Sequence, residues 1–214
     1  MNITIIGTGR MARGIATRAL AGGHTVTLIG HEADKAETLA TELQSAAQGG
    51  ASVQASSSGA VDGDIIVLAV PYAAAAPIVQ QYGGQLAGKV IVDITNPVDF
   101  STMSPAVAPG ASGAEEIAKA APAGAKVVKA FNTTFAGTLV AGQVADHPLD
   151  VFIAGDDADA KAAVSQLVSS GGLRAIDAGP LQRARQLEAL GLLHMAVQFT
   201  LNTGFGSAVK IIVS

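Results

Sequence analysis

Apolar and polar positions alternate in blocks along this chain. Short aliphatic, β-branched runs at 2–6, 25–29, 51–55, 64–70, 89–94, 125–130, 149–154 and 173–177 each predict a strand. Between several of them lie Ala-rich segments of helical composition, at 10–22, 33–47, 73–83, 113–121 and 158–170. The run Ile65-Ile66-Val67-Leu68-Ala69-Val70 is apolar on both faces, as suits a strand covered on both sides of a parallel sheet. Such strand–helix alternation predicts a Rossmann-like, doubly wound α/β fold with a mainly parallel sheet.

Two regions break the rhythm. Residues 95–112 hold three Pro and no periodicity, which predicts a long loop after the fifth strand. Near the C-terminus, Leu187, Leu190, Leu193, His194, Val197 and Leu201 recur at spacings of three and four. They predict the stripe of a helix over roughly 181–202, with Pro180 suited to its first turn and Gly204 and Gly206 ending it. The expected division is a dinucleotide-binding region over 1–150 and a small C-terminal αβ part over 151–214, with no flexible linker between them. The apolar stripe exceeds what so small a part can bury, which predicts a homodimer built on that helix.

Composition narrows the function. Hydrophobic residues make up 49% and charged residues 14% of the 214, which describes a core-rich globular chain. A net charge of −4 with scattered Lys and Arg gives no reason to bind nucleic acid or an anionic membrane. No apolar run reaches the roughly 18 residues of a membrane span, and no charged segment leads into a long apolar one, so a cytoplasmic protein is expected. The absence of Cys removes disulfides, thiolate nucleophiles and Cys–metal sites. The four His (24, 31, 147 and 194) have no metal-ligand spacing, so no metal centre is expected.

Gly7-Thr8-Gly9-Arg10-Met11-Ala12 follows the first strand and opens a helix, in the pattern G-x-G-x-x-A. The first Gly permits the tight turn, and the second lets backbone approach a pyrophosphate. A small third residue lets helix and strand pack closely, while free N–H groups at the helix start face the anion. The second strand ends in Gly30-His31-Glu32 with Lys35 beyond. His31 and Lys35, four apart, suit a 2′-phosphate, with Thr8 adding a hydroxyl, whereas Glu32 suits a ribose diol. The balance favours NADP(H).

The chain resembles the NADP oxidoreductases dependent on the deazaflavin coenzyme F420, and the related nucleotide-binding domain of the STEAP metalloreductases. Beyond the glycine turn, the resemblance rests on Val70-Pro71-Tyr72, Lys89-Val90-Ile91-Val92-Asp93 and Lys126-Val127-Val128-Lys129-Ala130-Phe131-Asn132-Thr133. It continues in Gly155-Asp156-Asp157-Ala158-Asp159-Ala160-Lys161 and Asp177-Ala178-Gly179-Pro180-Leu181. It implies Thr8, Gly9, Arg10 and Met11 on the pyrophosphate and Lys35 on the 2′-phosphate. Gly30 and His31 stand where the family usually has Ser and Arg. Tyr72, Ala76, Val98 and Ala136 match positions along the dinucleotide, and Ser207 matches a C-terminal contact. With Gly7, Val70, Pro71, Asn96 and Pro97, these complete the expected cofactor site. Asn132 stands where the archaeal enzymes carry His. The implied co-substrate is F420, or FMN or FAD in its place.

Hydride transfer to a flavin-like ring chiefly needs placement, so no catalytic acid is required. Small and apolar residues around Pro71, Pro97, Phe131 and Phe205 fit that demand. Asn132 and Thr133, at a strand's C-terminal end, are candidates to orient the acceptor or to cap the next helix. Phe205, between two Gly, reads as a lid or a plug. Asp156 and Asp157 read as helix-capping acids and Asp177 as a turn former, with His147 in an exposed loop. His194, on or beside the Leu stripe, is the fallback general acid if the substrate is instead a small imine or ketone. A sensor that binds NADPH without turnover is the remaining alternative.

Overall fold

The computed structural model describes residues 1–213 apart from 46, 48, 57 and 58. Its first five strands are β1 (Asn2–Ile6), β2 (Thr25–Ile29), β3 (Ser52–Ala55), β4 (Ile65–Leu68) and β5 (Val90–Asp93). The two-residue pieces β6 (Val98–Asp99) and β7 (Ser104–Pro105) form an antiparallel ribbon. Strand β8 (Lys126–Lys129) follows, then a second small ribbon of β9 (Gln143–Val144) and β10 (His147–Pro148). The last strands are β11 (Asp150–Gly155) and β12 (Arg174–Gly179). The helices are α1 (Arg10–Ala21), α2 (Ala33–Gln44), α3 (Tyr72–Tyr82), α4 (Gly113–Ala120), α5 (Ala136–Ala141), α6 (Ala158–Ser170) and α7 (Ala184–Leu201).

Eight strands form one sheet in the order β12-β11-β8-β5-β4-β1-β2-β3. The six from β8 to β3 are parallel. Strand β11 joins β8 antiparallel and carries β12 parallel to itself, so the sheet runs on past residue 150. Strand order reverses between β1 and β4, which opens a crevice at their carboxyl ends. The period of two sends Ile3, Ile5, Ile65, Val67, Val92 and Val128 to one face, under α1, α2, α5 and α6. Ile6, Ile66, Leu68, Ile91 and Val127 go to the other face, under α3 and α4. Both faces are dry, which is why these runs are continuously apolar. The expected helix over 33–47 ends at Gln44 in the structure, and residue 46 within it lies outside the described residues. Among the described residues no helix is long and apolar enough to cross a membrane.

The stripe expected on the C-terminal helix needs correction. Leu187 and His194 are buried, but Leu193 is 60% and Leu201 59% exposed. The face that packs inward is Ala184, Leu187, Glu188, Gly191, His194 and Gln198. Its polar members are buried because each finds a partner. Gly191 is there because a Cβ would lie 2.8 Å from Asn96 Oδ1 and 3.0 Å from the Asn132 carbonyl. The short helix α5 has no sequence signal: six residues, two of them Ala, one Gly and one Thr, carry too little periodicity.

Candidate active site

The turn between β1 and α1 is built for close backbone approach. Gly7 sits at φ +120°, and a Cβ there would lie 2.1 Å from the Ala69 carbonyl oxygen. Its N–H donates to the Ile29 carbonyl at 2.8 Å, tying the turn to β2. Gly9 is the N-cap of α1, with ordinary φ −78°, and a Cβ there would meet nothing within 4 Å. No side chain caps α1 and no acid occupies its first turn. The positive end of a twelve-residue helix thus faces open space, an arrangement suited to a phosphate.

From this turn a groove runs along the carboxyl ends of β1, β4, β5 and β8. It comprises two adjoining cavities of about 860 and 730 Å³. Arg10, Met11, Ile94, Asn96, Phe100 and Met195 line both. The first also takes in Gly9, Val70, Pro71, Tyr72, Thr95 and Val98. The second adds Asn132, Phe135, Ala136 and Phe205. Most residues expected around the cofactor therefore come together. Pro97 faces a separate apolar pocket behind the loop, and Ala76 sits one helical turn along α3 from Tyr72. Gly30, His31 and Lys35 stand beyond Thr8 at the tip of β2. There Lys35 pairs with Glu32 at 2.7 Å.

Two amides are locked in the groove wall. Asn96 Nδ2 donates to the Asn132 carbonyl, and Asn132 Nδ2 donates to Asn96 Oδ1 and to the Leu187 carbonyl, all at 2.8 Å. Every partner of Asn132 Nδ2 is an acceptor, so the amide cannot be turned round. That leaves Asn132 Oδ1 buried with no hydrogen bond, and Thr95 Oγ1 shares this state. Neighbouring Phe131 is buried at φ +63°, a region a bulky residue seldom adopts. Neither Asn132 nor Thr133 caps a helix: Phe135 is the N-cap of α5, and the Thr133 carbonyl accepts from His194.

Beneath the wall lies a charged cluster that sequence reading missed. Lys129 Nζ, fully buried, donates to Asp93 Oδ2 and Glu188 Oε1 at 2.8 Å and to the Thr95 carbonyl at 2.5 Å. Glu188 also accepts the Gly113 and Ala114 N–H groups at 3.0 and 3.2 Å. Burial raises the Glu188 carboxyl above its usual range, against the pull of Lys129. The cluster ties β5, β8, α4 and α7 together and fixes the Thr95–Asn96 segment.

His194 is turned away from the groove. Its Nδ1 lies 3.0 Å from the Thr133 carbonyl and its Nε2 2.8 Å from Ser207 Oγ. The ring stacks on Phe135 at 4.3 Å, and Phe205 meets Phe135 edge-on at 5.0 Å. Ser207 thus holds the C-terminal segment, and with it Phe205, against the second cavity. Burial holds the His194 imidazole below its usual pKa. Between that lowered value and the unfolded value of about 6.5, the unfolded chain binds a proton that the fold does not, so stability rises with pH. Thermal melts should therefore show a loss of stability from about pH 7.5 to about pH 5.5, and a smaller loss in a His194→Asn variant.

The remaining acids are structural. Asp157 caps α6 by accepting the Ala160 N–H, Asp156 accepts the Leu181 N–H, and Asp177 accepts the Gly179 N–H. His147 is exposed on the β9–β10 ribbon. Phe100 and Met195 gave no local signal: each reaches the groove only through tertiary placement of the long loop and of α7.

The description "NADP oxidoreductase coenzyme F420-dependent" matches residues 2–97 of this chain. The F420-dependent NADP reductase of Methanothermobacter thermautotrophicus is 31% identical over 201 residues, covering 89% of this chain and 86% of that protein. The rat metalloreductase STEAP3 is 32% identical over 193 residues, 89% of this chain but 36% of that longer protein. A crystal structure of an Arthrobacter sp. FB24 protein, described there as an F420-dependent NADP-reductase candidate, superposes with a TM-score of 0.81 at 32% identity over 99% of both chains. The glycine turn, the groove and the length of this match agree: the chain belongs to the family of coenzyme F420-dependent NADP oxidoreductases and is an NADP-dependent oxidoreductase.

Proposed function

We propose that this chain passes hydride between NADP(H) and a planar ring acceptor, the deazaflavin F420 or a flavin. The observation that carries this reading is the chemistry of the groove wall. Among the described residues lining the two cavities, only Arg10 and Tyr72 carry an ionisable side chain. Burial, and a hydrogen bond donated to Glu116, push the Tyr72 hydroxyl well above its usual pKa. A new alcohol or amine needs a proton donor at the reacting atom, and the neutral acid of this wall, Tyr72, already gives its O–H to Glu116. A ring acceptor needs placement instead.

The open turn at Gly9 and the unpartnered acceptors of Asn132 and Thr95 fit a bound dinucleotide. When bound, it supplies the hydride from C4 of its nicotinamide. Thr8, Gly9, Arg10 and Met11 hold the pyrophosphate, while Val70, Pro71, Tyr72, Asn96 and Val98 border its path. Asn132 Oδ1 accepts an N–H of a ligand amide. Phe100, Phe135 and Phe205 give flat apolar surfaces to an acceptor ring, and Met195 of α7 with Gly204 and Phe205 closes the acceptor side.

The same reading includes a homodimer. Leu193, Phe199 and Leu201 on α7 are 60, 72 and 59% exposed, and Ile212 and Val213 further along the chain are exposed as well. Apolar side chains left exposed on one helix are covered most simply by their counterparts on a second copy. Sedimentation should give a dimeric mass, and Leu193→Lys with Leu201→Lys should give a monomer.

The function itself is tested by following NADPH oxidation with F420, FMN, FAD or a cyclic imine as acceptor, each repeated with NADH. Fast turnover with F420 or a flavin supports the proposal. Turnover with the imine alone, or tight NADPH binding without turnover, overturns it.

A further inference from the structure

At the tip of β2 the cation suited to a 2′-phosphate is already engaged by a carboxylate suited to the competing ligand. Lys35 Nζ lies 2.7 Å from Glu32 Oε1, with the two side chains 64 and 62% exposed. Glu32 is the N-cap residue of α2, yet its carboxylate caps nothing. Lys35, and more weakly His31, hold that carboxyl below its usual range, so it stays anionic. A single exposed pair is weak enough for a ligand to displace either member.

The neighbouring position adds no help. A Cβ on Gly30 would lie 2.7 Å from the Glu32 carbonyl oxygen and 3.0 Å from Thr8 Cγ2. The backbone of 30–32 is thus folded tightly against the glycine turn, and no side chain at position 30 reaches a phosphate. What meets at the tip is the Glu32–Lys35 pair, three residues apart, with His31 and Asp34 exposed beside it.

We propose that Glu32 and Lys35 form a two-way ribose gate that admits both dinucleotides. For NADP(H), Lys35 leaves Glu32 for the 2′-phosphate, which must then tolerate the freed carboxylate. For NAD(H), Glu32 accepts the 2′-hydroxyl while keeping its lysine. Glu32 is therefore the residue that limits NADP preference, and Lys35 the one that creates it. The gate rests on the reading that the Gly7–Gly9 turn seats a dinucleotide.

The test is fluorescence titration of NADPH and of NADH against the wild-type chain, Glu32→Gln and Lys35→Gln. Both side chains are exposed, and neither substitution removes a buried contact. Glu32→Gln should raise the ratio Kd(NADH)/Kd(NADPH) by about fivefold, and Lys35→Gln should lower it by a similar factor, as expected for a surface charge pair. Ratios unmoved by either substitution overturn the gate while leaving the dinucleotide site standing. If the wild-type chain binds neither dinucleotide, the reading of the turn falls and the gate falls with it.

Discussion

Lys129→Met should cost about 3–5 kcal/mol of stability, because it leaves buried carboxylates without their cation. Asp93 and Glu188 both face Lys129 Nζ at 2.8 Å in a site closed to water, and the Thr95 carbonyl loses its donor as well. Charges stranded in this way are worth far more than the net value of the intact cluster, since forming it already required stripping three ions of water. The origin of the loss can therefore be checked. Adding Glu188→Met to Lys129→Met should recover part of it, because one stranded charge is removed and apolar volume fills the space. Urea unfolding of the wild type and the two variants measures both effects. A double variant less stable than Lys129→Met alone would place the cost in lost packing rather than in stranded charge.

The second large effect separates two glycines of one turn. Gly7→Ala should cost at least about 3 kcal/mol, since φ +120° is a region where an L side chain is strained and the Cβ would collide with the Ala69 carbonyl. Gly9→Val should cost only about 1 kcal/mol, the loss of a better N-cap residue, because its φ is ordinary and a Cβ meets open space. Its effect should fall on the ligand: in the proposed site a branched side chain there would stand where the pyrophosphate approaches the backbone. NADPH affinity should drop by roughly tenfold or more, the value of one lost charge-assisted hydrogen bond. Thermal melts and NADPH titration, run on both variants, read the two outcomes separately.

These two tests also mark what the amino-acid order reveals. The glycine turn is legible because its causes are local: a strand, two glycines and a helix start lie within twelve residues. The strands of the large sheet are legible because burial on both faces leaves an unbroken aliphatic run, as at Ile65–Leu68. The Lys129 cluster is not, because its partners stand 36 and 59 residues away. No window of sequence shows that a lysine at a strand end meets Asp93 and Glu188.

Helix α7 shows the same limit in another form. Its apolar spacing singles out Leu193 and Leu201, yet the inward face carries Glu188, His194 and Gln198. Periodicity counts hydrophobic side chains and cannot see that a polar one has found a buried partner, as His194 does 61 residues away at the Thr133 carbonyl. The Asn132 amide is a further case. Its orientation follows from Asn96 and Leu187, so the unpartnered Oδ1 exists only in the folded chain.

Hydride transfer itself is tested most directly with an isotope. NADPH deuterated at both C4 positions is mixed with F420 and the enzyme in ordinary water, and the reduced deazaflavin is analysed by mass spectrometry. Transfer within the groove predicts one deuterium carried onto carbon in the product. A reduced deazaflavin without deuterium would contradict it.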